Sequence, residues 1–105
     1  MVVTTNDVPG YEVVEVHGAV FGLVARSRSA FSGLRVGFRS LSGSEVKSYT
    51  RASAVSRGEA LERLRDAARA RGANAVLAMR FDGGELGPVV GEIAAYGTAV
   101  RVRRL

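Results

Sequence analysis

Residues 11–26 read YEVVEVHGAVFGLVAR, and this stretch decides the fold. Its alternating and β-branched residues predict one long strand, or two strands joined by a bend. The alternation of the first half predicts that Glu12, Val14 and Val16 point to one side and Val13, Glu15 and His17 to the other. The second half, residues 19–25, is apolar on both sides. A strand of that kind needs cover on both faces of its sheet.

The flanking segments predict short elements. Residues 2–5 predict a short β segment, and residues 6–10 predict a turn because Asn, Asp, Pro and Gly each favour turn geometry. After the strand, large apolar residues recur at helical steps of three, four and three, which predicts a short helix. Its residues are Phe31, Leu34, Phe38 and Leu41.

A long helix is predicted from a capping box at Ser42–Glu45 up to Arg71. A second capping pattern contains Gly58, which predicts a kink or a restart of the helix at that point. Gly72 predicts the end of the helix, since glycine readily adopts the left-handed conformation of a C-cap.

Two strands are predicted after the helix, at residues 73–81 and 89–103, with a turn at Asp82–Gly84 between them. Alternation places Ala75, Leu77, Met79 and Phe81 on one face of the first of these strands. In the second strand it places the odd-numbered residues 91–99 on one face and the even-numbered residues 90–102 on the other. The order strand, helices, strand, strand predicts one α+β domain over residues 1–105. Its two layers are an antiparallel sheet and one long helix plus a short helix.

One helix layer cannot cover both faces of a three-stranded sheet. The strands nevertheless carry apolar residues on both faces: Val20, Phe21, Leu23 and Val24, and again Val89, Val90 and Ile93. An uncovered apolar face marks an interaction surface, and open strand edges need a partner or a shield. The sequence therefore predicts that identical copies assemble as a ring, with sheets meeting across a symmetric interface.

Missing residue types exclude several chemistries. The chain has no Cys and one His among 105 residues. Disulfides, thiol nucleophiles, iron–sulfur clusters and thiolate zinc sites are therefore impossible, and the absence of disulfides favours a cytoplasmic location. His17 is expected to face solvent or an interface, and one histidine per chain cannot form a closed histidine metal site. No glycine-rich phosphate loop or nucleophile–base pair is recognisable, so no enzymatic activity and no cofactor are predicted.

The net charge of +5 comes from 15 basic and 10 acidic residues. The densest basic cluster is the tail Arg101, Arg103 and Arg104, which could attract a polyanion. Three arginines of the long helix stand at helical spacing from an acidic residue, in the pairs Glu59/Arg63, Glu62/Arg65 and Asp66/Arg69, which predicts a solvated, ion-paired face. No aromatic platform accompanies the basic residues, which argues against nucleic-acid binding. The longest apolar run, residues 18–25, is too short to cross a membrane.

An ordered set of short motifs runs through the chain: Val2–Thr5, Gly10–Tyr11, Val13–Gly18, Gly22–Val24, Gly43–Glu45, Ala60–Leu61, Leu64, Ala67, Gly72–Val76 and Tyr96–Val100. With this set the chain resembles the YbjQ-like family of heavy-metal-binding-domain proteins. The resemblance implies a dodecin-like β-α-β-β subunit, assembled as a homopentameric ring in the bacterial cytoplasm. The chain departs from the family at Ser44, where the family usually has glycine. A soft metal would find only Met1 and Met79 as sulfur ligands.

Three functions stay open at this point. The first is a non-catalytic, homo-oligomeric binding or scaffold module. The second is binding of a small ligand or a metal at a subunit junction, for which the candidate residues are Glu45, Tyr49 and His17, followed by Asp82, Glu85 and Glu92. The third is binding of a polyanion or nucleic acid through Arg101, Arg103 and Arg104.

Overall fold

The computed structural model describes residues 1–27, 43–85 and 90–105, without the side chains of residues 27, 43–50, 85 and 90. Its elements are β1 (Tyr11–Ser27), α1 (Gly43–Ala70), β2 (Ala75–Glu85) and β3 (Val90–Arg104). The strands form an antiparallel sheet of order β1-β3-β2, and α1 packs against one face of it. The predicted α+β fold with one long helix is therefore confirmed. The predicted short helix lies outside the described residues.

Helix α1 contacts the sheet through a narrow stripe of mostly small residues spaced four apart: Ser56, Ala60, Leu64 and Ala68, all buried. The stripe packs mainly against the two strands β1 and β3, with Val20, Val24, Ala95 and Ala99 in the same core cluster. Small residues let the helix backbone approach the sheet closely. The approach is closest at Gly22, where a Cβ atom would lie 2.0 Å from the Ala60 carbonyl oxygen.

The end of α1 follows the prediction, whereas its middle does not. Gly72 has a φ of 79°. Its amide donates to the Arg69 carbonyl at 2.9 Å, and the next amide, of Ala73, donates to the Ala68 carbonyl at 3.1 Å. This pair of bonds is the Schellman arrangement. The predicted restart at Gly58 is wrong, since α1 is continuous there. An exposed glycine costs only about 1 kcal/mol, and packing on both sides retains the helix.

Strand β1 does not alternate as predicted. Its pairing with β3 shifts register between Val13 and Glu15 and again between Val16 and Gly18, so that Val14 and His17 are extra residues. Each bulge inserts one residue and reverses the faces of the residues after it. As a result Val13 and Glu15, predicted to share a face, lie on opposite faces of the sheet.

Strand β2 contains a third bulge. Its register shifts between Leu77 and Arg80, and Ala78 has a φ of 53°. This left-handed conformation costs a non-glycine residue about 1 kcal/mol. Beyond the bulge the faces exchange: Leu77 points away from α1, whereas Phe81 lies on the helix side, with the guanidinium of Arg57 5.6 Å from its ring centroid. The predicted shared face of Ala75, Leu77, Met79 and Phe81 is therefore wrong.

The predicted turn at Asp82–Gly84 is also wrong, because β2 continues to Glu85 and both glycines pair with β3. A neighbouring strand supplies the backbone partners, and this pairing overrides the low strand propensity of glycine. The observed β2 begins at Ala75, two residues after its predicted start, and β3 is described from Val90 onward. In β3, which has no extra residue in either pairing, the predicted alternation is confirmed.

The segment Met1–Thr5, here called the arm, runs along the outer edge of β2. The Val3 amide donates to the Val76 carbonyl and the Val76 amide to the Met1 carbonyl, each at 2.9 Å. Of the predicted β segment, Val2 alone forms a bridge, parallel to Val76. The chain then crosses the sheet face opposite α1. There Val3, Val8 and Tyr11 pack against a second core cluster: Ala75, Leu77, Val100 and Val102.

Among the described residues, no helix combines the length and the apolar composition needed to cross a bilayer.

Candidate self-association surface

Within the part of the chain that the structure describes, the sheet face opposite α1 is covered at one end only. The arm and the chain after it cover the second core cluster, but the other end carries exposed apolar side chains. We call this surface the open face and define it by Val16, Phe21 and Leu23 of β1 and Tyr96 of β3. Their exposed fractions are 69, 57, 48 and 39%. In β1 the residues that alternate with Phe21 and Leu23, which are Val20, Gly22 and Val24, are buried toward α1.

The open face is continuous across two strands. Phe21 and Tyr96 are directly opposite each other in the β1–β3 ladder, and their ring centroids are 6.4 Å apart. Arg80 and Asp82 of β2, both exposed, pair with Tyr96 and Ala94 and so lie on the same side of the sheet. A patch of aromatic and aliphatic side chains with a polar border is typical of an interaction site. The uncovered apolar face predicted from the sequence is thus confirmed within the described residues.

The outer edge of β1 is shielded by arginine side chains from α1 and the loop after it. Nη1 of Arg71 donates to the carbonyls of His17 and Ala19 at 3.1 and 2.8 Å. Nη1 of Arg63 donates to the carbonyl of Leu23. The φ of 89° at Gly18 accompanies the bulge that lets one guanidinium reach two carbonyls. Strand addition along this edge would have to displace both arginines.

His17 is the extra residue of a β1 bulge and is half-buried. Its Nε2 lies 3.0 Å from a carboxylate oxygen of Glu15, within ion-pair distance. The same atom is fully enclosed and lacks an aligned hydrogen-bond partner among the described residues. The contact with Glu15 is therefore electrostatic proximity rather than a well-directed hydrogen bond.

The surroundings of His17 do not fit a metal ion. Glu15 is directly opposite Arg101 in the sheet, and Arg71 lies against the backbone of His17. Two guanidinium groups beside one carboxylate and one imidazole raise the electrostatic cost of a divalent cation. Within residues 1–27, 43–85 and 90–105, no three His, Asp or Glu side chains cluster in a way that could hold a metal. The residues that are described thus argue against a metal at His17.

The structure does not bring the three candidate ligand residues together within one chain. His17 contacts Arg71, beyond the C-terminal end of α1, whereas Glu45 and Tyr49 lie in its first two turns. The 22 residues from Tyr49 to Arg71 correspond to about 33 Å of helix. The side chains of Glu45 and Tyr49 are not among those described. A site formed by all three would need more than one copy of the chain.

The secondary acidic candidates lie at the border of the open face. Asp82 is opposite Ala94, and Glu92 is opposite Ala25 of β1 and Gly84 of β2. Glu92 and Ala94 are two residues apart in β3, so Asp82 and Glu92 are on the same side of the sheet. Glu85 is the last residue of β2, and its side chain is not among those described.

The three tail arginines do not form one surface. Arg101 donates to the Gly72 carbonyl at 3.3 Å, and Nε of Arg103 donates to a Glu12 carboxylate oxygen at 2.8 Å. Arg104 follows directly in the strand and therefore points to the opposite face. Two of the three charges are engaged within the chain, which weakens their availability to a polyanion.

A family model described as "Putative heavy-metal-binding" matches residues 1–103. The chain belongs to this YbjQ family. The family resemblance inferred from its motifs is therefore confirmed. The description attaches heavy metals to the family, whereas the residues around His17 in this member do not fit such an ion.

Curated relatives carry the name UPF0145 protein, which assigns no activity. The relative from Acidothermus cellulolyticus is 50% identical over 105 residues, covering 100% of this chain and 97% of its own. The relative from Streptomyces coelicolor is 53% identical over 104 residues, covering 99% and 98%. The archaeal relative from Thermoplasma volcanium is 46% identical over 102 residues, covering 97% and 84%. The family thus extends beyond bacteria, although bacterial relatives are in the majority.

A solved structure shares the fold. A protein of unknown function of the DUF74 family from Pediococcus pentosaceus matches with a TM-score of 0.62 and 13% sequence identity, covering 98% of this chain and 97% of its own. At this identity the similarity establishes the architecture alone.

Sequence reasoning missed Arg63 and Arg71 as edge residues. The helical spacing of Arg63 from Glu59 predicts a solvated ion pair, and the position of Arg71 predicts an interaction with the negative end of the helix dipole. Their contacts depend on where α1 crosses β1 and on the bulge at His17. Gly18 was the one available signal, because glycine inside a strand often marks a bulge.

Proposed function

We propose that this protein is a non-catalytic subunit of a homo-oligomeric ring, in which neighbouring copies cover the open face. The observation that carries the proposal is the exposure of Phe21, Leu23 and Tyr96 on one continuous side of the sheet. Complete burial of a side chain of this size contributes roughly 1.5–3 kcal/mol. Since about half of each is already buried, the three together would contribute about 2–4 kcal/mol per covered face.

That amount alone is less than association of two proteins requires. The interface therefore extends beyond the three side chains, and Val13 and Val16 at the edge of β1 are exposed apolar residues that would extend it. The border residues Arg80 and Asp82 have opposite charges, which suits a surface that meets another copy of itself. The resemblance to a family of pentamers makes five the expected number of copies, and the cytoplasm the expected location.

The non-catalytic part of the proposal rests on side-chain chemistry. The chain has no thiol, and Nε2 of its one imidazole lies beside Glu15 and is enclosed by protein atoms. A nucleophile–base pair built on this histidine would need an alcohol within hydrogen-bond reach of Nε2. Polyanion binding is the weaker alternative, because Arg101 and Arg103 are engaged by Gly72 and Glu12.

Native mass spectrometry tests the proposal on the purified chain. The wild-type protein is expected at a multiple of its 11.1 kDa subunit mass, and a pentamer would give about 55 kDa. The double variant Phe21→Ser/Leu23→Ser should shift the distribution toward the monomer, because the exposed positions lose their apolar contact area. Circular dichroism should show an unchanged secondary structure, since both side chains point away from the core.

Val55→Ser is the matched control. Val55 is an exposed apolar side chain, 52% accessible, but it belongs to α1 on the opposite side of the sheet. This variant should keep the wild-type mass. A wild-type protein that is stably folded as an 11.1 kDa monomer at micromolar concentration would refute the proposal. So would a double variant that assembles as fully as the wild type.

A further inference from the structure

The arm contacts β2 at the bulge that contains Ala78. The Ala78 amide donates to the Thr5 carbonyl at 2.8 Å, and the Met79 amide donates to the Val3 carbonyl at 3.0 Å. In a regular strand the amides of two successive residues point to opposite edges, whereas this bulge turns both toward the arm. The arm therefore satisfies both of the donors that the bulge turns outward.

The same bulge is strained. Ala78 has a φ of 53°, a conformation that costs free energy in a residue with a side chain. Strand β3 accommodates the bulge with a glycine, because a Cβ atom at Gly97 would lie 2.9 Å from the Leu77 carbonyl oxygen and 3.4 Å from the Cα atom of Met79. Strained residues persist where their surroundings overdetermine them, and the arm is part of the surroundings of Ala78.

The pairing after the bulge decides which residues of β2 belong to the open face. Arg80 is opposite Tyr96 and Asp82 is opposite Ala94, so both charged side chains are on the open-face side of the sheet. We call this observed pairing the bulged register. It gives the apolar residues of β1 and β3 a charged border in β2.

Pairing without the bulge would exchange these residues. Continued from the pair of Leu77 and Thr98, it would place Met79 and Phe81 on the open-face side, and we call this pairing the regular register. The two charged side chains would then point to the helix side, where α1 packs mainly on β1 and β3 and leaves β2 accessible to solvent. The alternation of apolar and polar residues in β2 also favours the regular register.

The arm distinguishes the two registers. Nη1 of Arg80 donates to the Thr4 carbonyl at 2.8 Å, and this contact and the two amide bonds at the bulge all depend on the bulged register. The bond from the Val3 amide to the Val76 carbonyl lies before the bulge and suits both registers. A segment that contacts one of two states better shifts the equilibrium toward that state.

We propose that the arm holds β2 in the bulged register, and that its release lets β2 slip by one residue and present Met79 and Phe81 on the open face in place of Arg80 and Asp82. The inference rests on the proposed function, because it names what regulates the self-association surface. In the bulged register, opposite charges restrict how two copies meet. In the regular register, the open face is apolar across three strands, and such a surface associates less selectively.

Backbone nuclear Overhauser effects between β2 and β3 in the purified, isotope-labelled protein distinguish the two registers. In the wild type the strongest contact of Ala94 across to β2 is expected with Asp82. Val3→Pro should release the arm, because proline lacks the amide that donates to Val76. In this variant the contact with Asp82 should be lost and replaced by one with Phe81.

Thr4→Pro is the matched control. Within residues 1–27, 43–85 and 90–105, the Thr4 amide donates to no backbone carbonyl, and its side chain is exposed, so this variant should keep the bulged register. Ala78→Gly removes the strain, so Val3→Pro/Ala78→Gly should return to the bulged register. Ala78→Val should populate the regular register with the arm intact, because a β-branched residue tolerates a positive φ poorly.

The proposal fails if Val3→Pro keeps the bulged register, or if Thr4→Pro slips as far as Val3→Pro does. It also fails if Ala78→Val shows the bulged register alone, a test that decides the question even if Val3→Pro does not fold. Native mass spectrometry should show a broader distribution of assemblies for the slipped variants than for the wild type, and an unchanged distribution would refute the regulation of self-association. A monomeric wild type would refute the proposed function, whereas the contacts of Ala94 would still decide whether the arm sets the register.

Discussion

Gly22 is the residue at which the helix and the sheet come closest. A Cβ atom there would lie 2.0 Å from the Ala60 carbonyl oxygen and 2.4 Å from the Leu64 amide nitrogen. Both are backbone atoms of α1, so no side-chain rotation can relieve the overlap. The missing side chain at this one position therefore sets the distance between the two layers of the fold.

Gly22→Ala is expected to destabilise the protein by about 1–3 kcal/mol or more, because α1 must move away from β1 to accept the methyl group. Urea unfolding at a fixed protein concentration measures the change. Gly58→Ala is the matched control, since a Cβ atom there meets nothing within 4 Å. That control should stabilise α1 by about 1 kcal/mol. Equal unfolding midpoints for Gly22→Ala and the wild type would show that the layers are not in contact at this residue.

At the scale of elements, the sequence predicts type and order well and predicts faces only where no bulge intervenes. The alternation of β3 is regular, and its predicted faces are correct. In β1 and β2, extra residues at Val14, His17 and Ala78 reverse the faces. Of these three bulges, only the one at His17 has an adjacent glycine as a sign. Ala78 adopts its strained conformation because its amide donates to the Thr5 carbonyl at 2.8 Å, a contact of distant residues.

The surfaces of the molecule also differ in whether the sequence predicts them. The open face could be predicted, because a strand with apolar residues on both sides and a single helix layer must leave one side exposed. The contacts of Arg63 and Arg71 with the edge of β1 could not, because they depend on the lateral position of α1 over the sheet. That position is set by Gly22 and by the small-residue stripe of the helix. No local pattern in the sequence determines it.

The edge of β1 gives a prediction at this scale. Arg71→Gln should remove the two hydrogen bonds to the His17 and Ala19 carbonyls and expose an unpaired strand edge. We expect a loss of about 1 kcal/mol in unfolding free energy. We also expect more aggregation on heating, because open edges add strands from other chains.

Light scattering during a thermal ramp measures this aggregation. Arg69→Gln is the matched control, because it removes a nearby arginine whose ion pair with Asp66 is on the surface. Its scattering curve should follow that of the wild type. If the two variants aggregate alike, Arg71 does not shield the edge.

At the scale of the whole molecule, the open face links stability to concentration. If neighbouring copies cover Phe21, Leu23 and Tyr96, the folded assembly is favoured by mass action and the melting temperature must rise with protein concentration. A hundredfold increase in concentration should raise the melting temperature of the wild type by several degrees, whereas Phe21→Ser/Leu23→Ser should melt at a nearly constant temperature. Differential scanning fluorimetry over this range distinguishes the two. A concentration-independent wild type would mean that one chain is stable with its apolar face in water.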